Sequence, residues 1–263
     1  SNTQEGAKDF LYSNSLVAKF AFLVIVIFAF IILLRIGFAF IAYMFQPNKS
    51  PHLIDGMIDA KQGVVFHQDP KDIKAKTIYR SNNQRDGIEF TWSVWLFIND
   101  LQYMQGSYKQ VFYKGNNHTQ DNGLNSPNNA PGLYIAPDTN ALVVVMNSYD
   151  KVNEEITIPD IPLNKWVNVI VRCQNTTLDV YINGTITRSI TLSSVPKQNY
   201  GDVFVAMNGG FDGFISNLWY YNYALSVVEI ASLVYGGPNT KTAKGSPINQ
   251  KDTDYLSLRW YTG

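Results

Sequence analysis

The chain has 263 residues, 46% of them hydrophobic and 14% aromatic, with 21 basic and 21 acidic side chains. That length fits one large domain, or a medium one with an appendage, around a sizeable core. Zero net charge with scattered Lys and Arg excludes the electrostatic footprint of nucleic-acid binding.

The single cysteine, Cys173, rules out an intrachain disulfide, so nothing argues for an oxidising compartment. It shares the parity of Val167, Val169 and Val171 and reads as a small buried hydrophobe. Three dispersed histidines, His52, His67 and His118, give no zinc-ligand spacing.

In chain order, residues 1–19 form a short polar tail. Residues 20–45, "FAFLVIVIFAFIILLRIGFAFIAYMF", carry one charge, Arg35, in 26 positions. A helix of that length rises about 39 Å, more than the roughly 30 Å hydrocarbon core of a bilayer. The segment is predicted to be a single transmembrane helix. A cleaved signal peptide has a shorter apolar region and a small-residue cleavage site, which does not follow here. A helix apolar on every face is either a membrane span or buried in the core of a large protein, and the span is the preferred reading. Arg35 either snorkels to the interface, leaving an effective span from about Lys19 to just past Arg35, or meets an acidic group on a neighbouring protein; snorkelling is the preferred reading, with Lys19 and Arg35 as interface residues. Lys8 and Lys19 on one side and Arg35, Lys49 and Lys61 on the other leave the orientation open.

Residues 46–62, with Pro47, Pro51 and Gly56, read as a linker. From Gly63 onward, strand-like alternation is broken by Gly, Pro, Asn and Asp clusters. "IEFTWSVWLFI" (88–98) predicts a strand buried in part on both faces; "QVFYKG", "PGLYIAP" and "ALVVVMN" follow, around a polar loop at 116–131. A loop of that length is often functional or mobile. "KWVNVIVRCQNTTLDVYINGTITRSITL" (165–192) predicts three consecutive antiparallel strands, with Asn183-Gly184 as a two-residue hairpin turn. Val203, Val205 and Met207 form a strand, Gly209-Gly210 turns, and Phe214 to Tyr221 returns as a hairpin. Ser226 and Glu229 make a capping box for a two-turn helix ending at Gly236-Gly237-Pro238. Tyr255 to Tyr261 alternates again, as an edge strand would; residues 241–263 are a C-terminal extension.

Taken in order, "FTWSVWLFI", "VFYKG", "PGLYI", "LNKWVNVIVRCQNTTLDVYING" and "GFDGFISNLWYYNYALSVVEI" resemble the concanavalin A-like superfamily, with its laminin G-like and pentraxin-like branches, over about residues 63–240. The resemblance implies a mostly β fold, a two-sheet antiparallel jelly-roll sandwich preceded here by the one transmembrane α-helix. In it, Gly213, Phe214 and Ala224-Leu225-Ser226 are scaffold. Asp212 is expected to satisfy turn amides beside Gly209-Gly210; it is at most a weak metal candidate.

Glucanases of this fold need a nucleophile and an acid/base about 5 Å apart. No Glu-x-Asp-x-Glu pattern is present, and Glu154 and Glu155, being adjacent on a strand, point to opposite faces. The expectation is a protein that is not an enzyme, with no catalytic and no cofactor-binding residues. Calcium-binding relatives draw ligands from loops, and a hard cation needs six to eight oxygens; Asp100, Asp121, Asp138, Asp150 and Asp202 lie in separate loops, so calcium is a minor expectation. Tyr220, Tyr221 and Tyr223, with Tyr103 and Tyr108 behind them, are candidates for sugar or partner contact, against packing on the sheet. Sequons at Asn48, Asn117, Asn175 and Asn183 matter only for a lumenal domain.

Two functions stand together. One is a membrane-anchored structural or interaction protein whose sandwich docks on other proteins of a larger assembly. The 25 asparagines and absent disulfide resemble proteins of large DNA viruses with an internal membrane, where the chain would be a minor capsid protein tying membrane to shell. The other is a membrane-anchored carbohydrate-binding adhesion module, as many relatives are; a glycoside hydrolase ranks third. Membrane lipid and assembly proteins are the expected partners, and glycans the alternative.

Overall fold

Two parts of the chain bury apolar side chains by different rules, and they form two separate units, residues 1–47 and 48–263. A computed structural model describes residues 15–44, 50–72 and 75–243. In the first unit, helix α1 (Leu16–Met44) has 29 residues, about 43 Å at 1.5 Å per residue. Large apolar side chains from Phe20 to Met44 are exposed all round it. It is one helix long and apolar enough to cross a membrane. It starts earlier than expected: Lys19 lies in its first turn, its N–H donating to Ser15 O at 3.2 Å. Residues 1–14 of the polar tail lie outside the described residues.

The second unit is a sandwich of two antiparallel sheets. The first holds β1 (His52–Asp59), β3 (Asn82–Gln84), β4 (Gly87–Ile98), β9 (Trp166–Asn175), β10 (Thr177–Ile182), β11 (Thr185–Thr191) and β13 (Gly213–Tyr221), ordered β1-β13-β4-β9-β10-β11 with β3 on the start of β4. The second is β2 (Val64–Phe66), β12 (Asp202–Val205), β5 (Lys109–Gly115), β6 (Gly132–Ile135), β7 (Leu142–Met146) and β8 (Glu154–Ile158), in that order. Inward residues of both sheets make one core around Trp92, whose ring stacks on Phe112 at 5.1 Å. This is the alternation expected of a two-layer β fold.

Each sheet also has a covered outer face. Tyr113, Tyr134, Val143, Val145 and Phe204 pack with Leu124, which belongs to the polar loop at 116–131. Gln110 Nε2 donates to Gly123 O at 2.8 Å, and Asn125 and Asn129 are fully buried. The asparagines therefore satisfy backbone over an apolar face. On the other sheet, α2 (Val227–Gly236) lays Ile230 on Ile170, Tyr181 and Leu225, and the Ser226–Glu229 capping box is present.

Three expectations change. Residues 52–59 are not linker but edge strand β1, paired with β13. Gly56, at φ 108°, absorbs an irregularity in that pairing, which breaks the alternation by which a strand is recognised. The chain from Val203 to Tyr221 is not a hairpin: β12 and β13 lie in different sheets. The intervening turn is pulled across the core by Phe211, which is fully buried and donates its N–H to Ala60 O at 3.1 Å. Finally, Tyr220 faces inward, as described below. The Asn183-Gly184 turn is as expected, with φ of 50° and 82°. The segment 255–261 lies outside the described residues.

Candidate functional site

The residues singled out in the sequence do not converge. Asp212 pairs with Lys61 Nζ at 2.5 Å, and Lys61 sits over the Tyr103 ring at 4.9 Å. The hydrogen bond from Lys61 holds the Asp212 carboxyl below its ordinary range. The carboxylate is thus held by a lysine rather than by the turn amides expected of it, and its main-chain oxygen accepts from Asn99 N. Asp100 accepts from the N–H groups of Gln102 and Tyr103, and Asp202 from His67 Nδ1 and Gln68 N. Among the described residues no three His, Cys, Asp or Glu side chains form a metal cluster.

Tyr220 is a correction. A bulge between Ser216 and Trp219, with Asn217 at φ 48°, turns Leu218 and Tyr220 inward. Tyr220 is 2% exposed against Trp92 at 4.8 Å. It is a core residue whose hydroxyl donates to Tyr79 O at 2.9 Å, and burial pushes that hydroxyl up to about 12. Tyr221 and Tyr223 stay on the outer face, half-buried, in a run of rings with Trp219 and His52. Tyr223 also donates to Glu229 Oε1 at 3.0 Å. Tyr108 packs edge-on against Tyr134. Cys173 is buried and its thiol is pushed up to about 12 by burial. Lys19 and Arg35 lie on α1.

The acid pair splits. Glu155 is exposed, whereas Glu154 is 7% exposed. Burial opposes ionisation of Glu154, but bonds from Ser148 Oγ, Ser193 Oγ and Ser193 N outweigh it and hold the carboxyl below its ordinary value. This carboxylate ties β8 to two loops.

A cleft that the sequence did not announce lies where β5 ends and β12, β3 and β4 begin. Lys114, the penultimate residue of β5, is 7% exposed. Its Nζ donates to Gly201 O at 2.6 Å. Burial lowers its pKa to about 8 against the opposing charge of Asp202. Lys114, Gln198 and Asn199 line two adjoining chambers. The inner, about 10 Å³, is walled by Ser81, Phe90, Trp92, Met146 and Tyr220 and takes about one water. The outer, about 130 Å³, opens between Gln68, Tyr79, Arg80 and Tyr200. Gly201 makes the close approach possible: a Cβ there would lie 2.1 Å from Gly115 O. No local signal marks these residues, because they come from three separate segments, with Lys114 and Gly201 lying 87 positions apart. A larger groove, about 570 Å³, follows the seam between β1 and β2 where the described chain ends at Ala243; apolar side chains such as Leu53, Ile58 and Phe66 line it together with Asp55, Lys76 and Lys241.

Residues 74–231, more than half the chain, match the sequence profile of the Concanavalin A-like lectin/glucanases superfamily. No curated protein matches the chain. Among solved structures, the binding domain of botulinum neurotoxin DC in complex with rat synaptotagmin II is similar at 15% identity and a TM-score of 0.43, over 56% of this chain and 35% of that one. The botulinum neurotoxin serotype G binding domain is similar at 13% identity and a TM-score of 0.46, over 68% and 46%. The chain thus spans between about a third and a half of those structures' length.

Proposed function

The chain belongs to the concanavalin A-like lectin/glucanases superfamily, and on that premise we propose that it is a membrane-anchored, non-enzymatic interaction protein. The observation that carries this reading is the junction of a 29-residue apolar helix to a sandwich whose β1 begins only eight positions after it, at His52. Such a helix removes its apolar surface from water by entering a bilayer, and it holds the sandwich as the part available to partners. The acid pair supports a non-catalytic role, because Glu154 is spent on Ser148 and Ser193. In the finer form of this reading the sandwich docks on proteins of a larger assembly, with a minor capsid protein between an internal membrane and a shell as the specific case.

The test is cross-linking of the native source after gentle solubilisation, with neighbours identified by mass spectrometry. Stoichiometric links from surface lysines such as Lys151 and Lys165 to coat or scaffold proteins are expected. Recovery of the chain alone, unlinked, overturns the assembly reading. A second reading, a carbohydrate-binding module, is favoured by one observation, the polar, cation-lined cleft beside Lys114.

A further inference from the structure

We infer that the cleft beside Lys114 is a binding site for a carboxylate-bearing sugar unit, with the carboxylate taken by Lys114 and Arg80; this rests on the carbohydrate-binding reading. The sign of the lining comes first. Arg80, Lys114 and Lys197 line the two chambers, and among the described residues no Asp or Glu does. The nearest carboxylate, Asp202, is occupied by His67 Nδ1 and Gln68 N, each at 2.8 Å. The cleft is therefore selective for an anion.

The second argument is what Lys114 lacks. An ammonium has three donors, and among the described residues this one has a single acceptor, Gly201 O. It is held nine-tenths buried beside Phe90, Trp92 and Met146, surroundings that disfavour a charge without a full set of partners. A carboxylate supplies the missing acceptors. Arg80 is exposed at the outer chamber and, among the described residues, engages only Asn83 Oδ1, at 3.0 Å, which leaves the rest of its planar fork for a carboxylate.

The remaining groups identify the body of the ligand. Gln198 lines both chambers, and its buried side-chain oxygen has no hydrogen-bond partner among the described residues. A buried acceptor left unpaired is unfavourable, and a ligand hydroxyl would satisfy it. Gln68, Asn199 and Tyr79 add neutral polar groups around a chamber of about 130 Å³, smaller than a drug-sized pocket and suited to one sugar ring. Tyr200, 69% exposed at the rim, presents an aromatic face on which the C–H side of such a ring stacks. An inorganic anion uses the cations but not Gln198 or Tyr200.

The test titrates the full chain in detergent micelles with glucuronate, N-acetylneuraminate and glucose, reading saturation-transfer NMR, with inorganic phosphate read by its competition against the acidic-sugar signal and a panel of neutral and acidic oligosaccharides alongside. One or both acidic sugars are expected to bind at least about tenfold more tightly than glucose, the factor that one charge-assisted contact supplies. Arg80→Ala, at an exposed position that does not threaten the fold, and Lys114→Met are each expected to remove that preference. Phosphate bound as tightly as the acidic sugars overturns the proposal in favour of a simple anion site. Binding of neutral sugars alone, or acidic-sugar binding unchanged in both variants, overturns it while leaving the carbohydrate-binding reading in place. Binding of none of the sugars or oligosaccharides overturns both.

Discussion

Lys114 and Glu154 show two ways of burying a charge. Glu154 has a full set of donors and gains from its ionised form; Lys114 has one acceptor and does not. A lysine lowered to about 8 from an ordinary value near 10.4 represents about 3 kcal/mol against the folded state. Losing the bond from this charged group to Gly201 O offsets about 1.5–3 kcal/mol of that. Lys114→Met is therefore expected to leave the sandwich as stable as it is or up to about 1.5 kcal/mol more stable in chemical denaturation at pH 7. The unfolded chain holds the Lys114 proton at higher pH than the folded chain does. Stability thus climbs as pH rises from about 8 toward the ordinary lysine value, and the variant lacks that climb. Glu154 works in the opposite sense. Its folded carboxyl lies below its ordinary value, so its contribution is complete above about pH 4.3 and disappears as pH falls through the lower folded value. Glu154→Gln is expected to be about 1–2 kcal/mol less stable at neutral pH and to lose that acid-side slope in pH-dependent unfolding curves.

At the scale of elements, the strands that carry strict alternation were legible and those that break it were not. Residues 88–98 and 165–192 match β4 and β9 to β11 because large apolar residues keep one parity toward the core (Phe90, Trp92, Val94, Leu96 and Ile98; Val167, Val169, Val171 and Cys173; Leu178 and Val180), and the turn residues tolerate positive φ. β1 was read as linker on Pro47, Pro51 and Gly56, and its pairing with β13 shifts register twice, the second time at Gly56. The second half of β13 follows a bulge at Asn217, and a bulge moves every later side chain to the other face. Tyr220 entered the core that way. The crossover between β12 and β13 was misread because two glycines look the same in a hairpin and in a passage between sheets. Its geometry gives a test. At Gly210, φ is +54° and a Cβ would lie 1.9 Å from Ala60 O, whereas at Gly106 φ is +82° and nothing lies within 4 Å. Gly106→Ala is expected to lose only the conformational term, about 1–3 kcal/mol. Gly210→Ala should lose clearly more in thermal and chemical unfolding, because the backbone of Ala60 must also move.

For the whole molecule, the helix and the sandwich make separate demands on solvent. α1 exposes large apolar side chains on all sides, so the intact chain is expected to stay in the membrane pellet through an alkaline carbonate wash and to need detergent for release. Release by the wash alone would exclude a spanning helix. Composition and the apolar run were enough to identify an apolar helix of spanning length, and alternation to identify strands, because both follow from local rules: apolar length against bilayer thickness, and side chains alternating across a sheet; their arrangement as a two-sheet antiparallel sandwich came from the family resemblance of the ordered strand motifs. The cleft obeys no local rule. Arg80, Lys114, Gln198 and Tyr200 come together only when β5 and β12 pair and Gly201 lets two backbones touch. Burial of the Lys114 charge, the inward turn of Tyr220 and the pairing of Asp212 with Lys61 are likewise consequences of through-space neighbours. Side-chain type sets what a residue can do; packing and dielectric surroundings, set by residues far along the chain, decide which of those things it does.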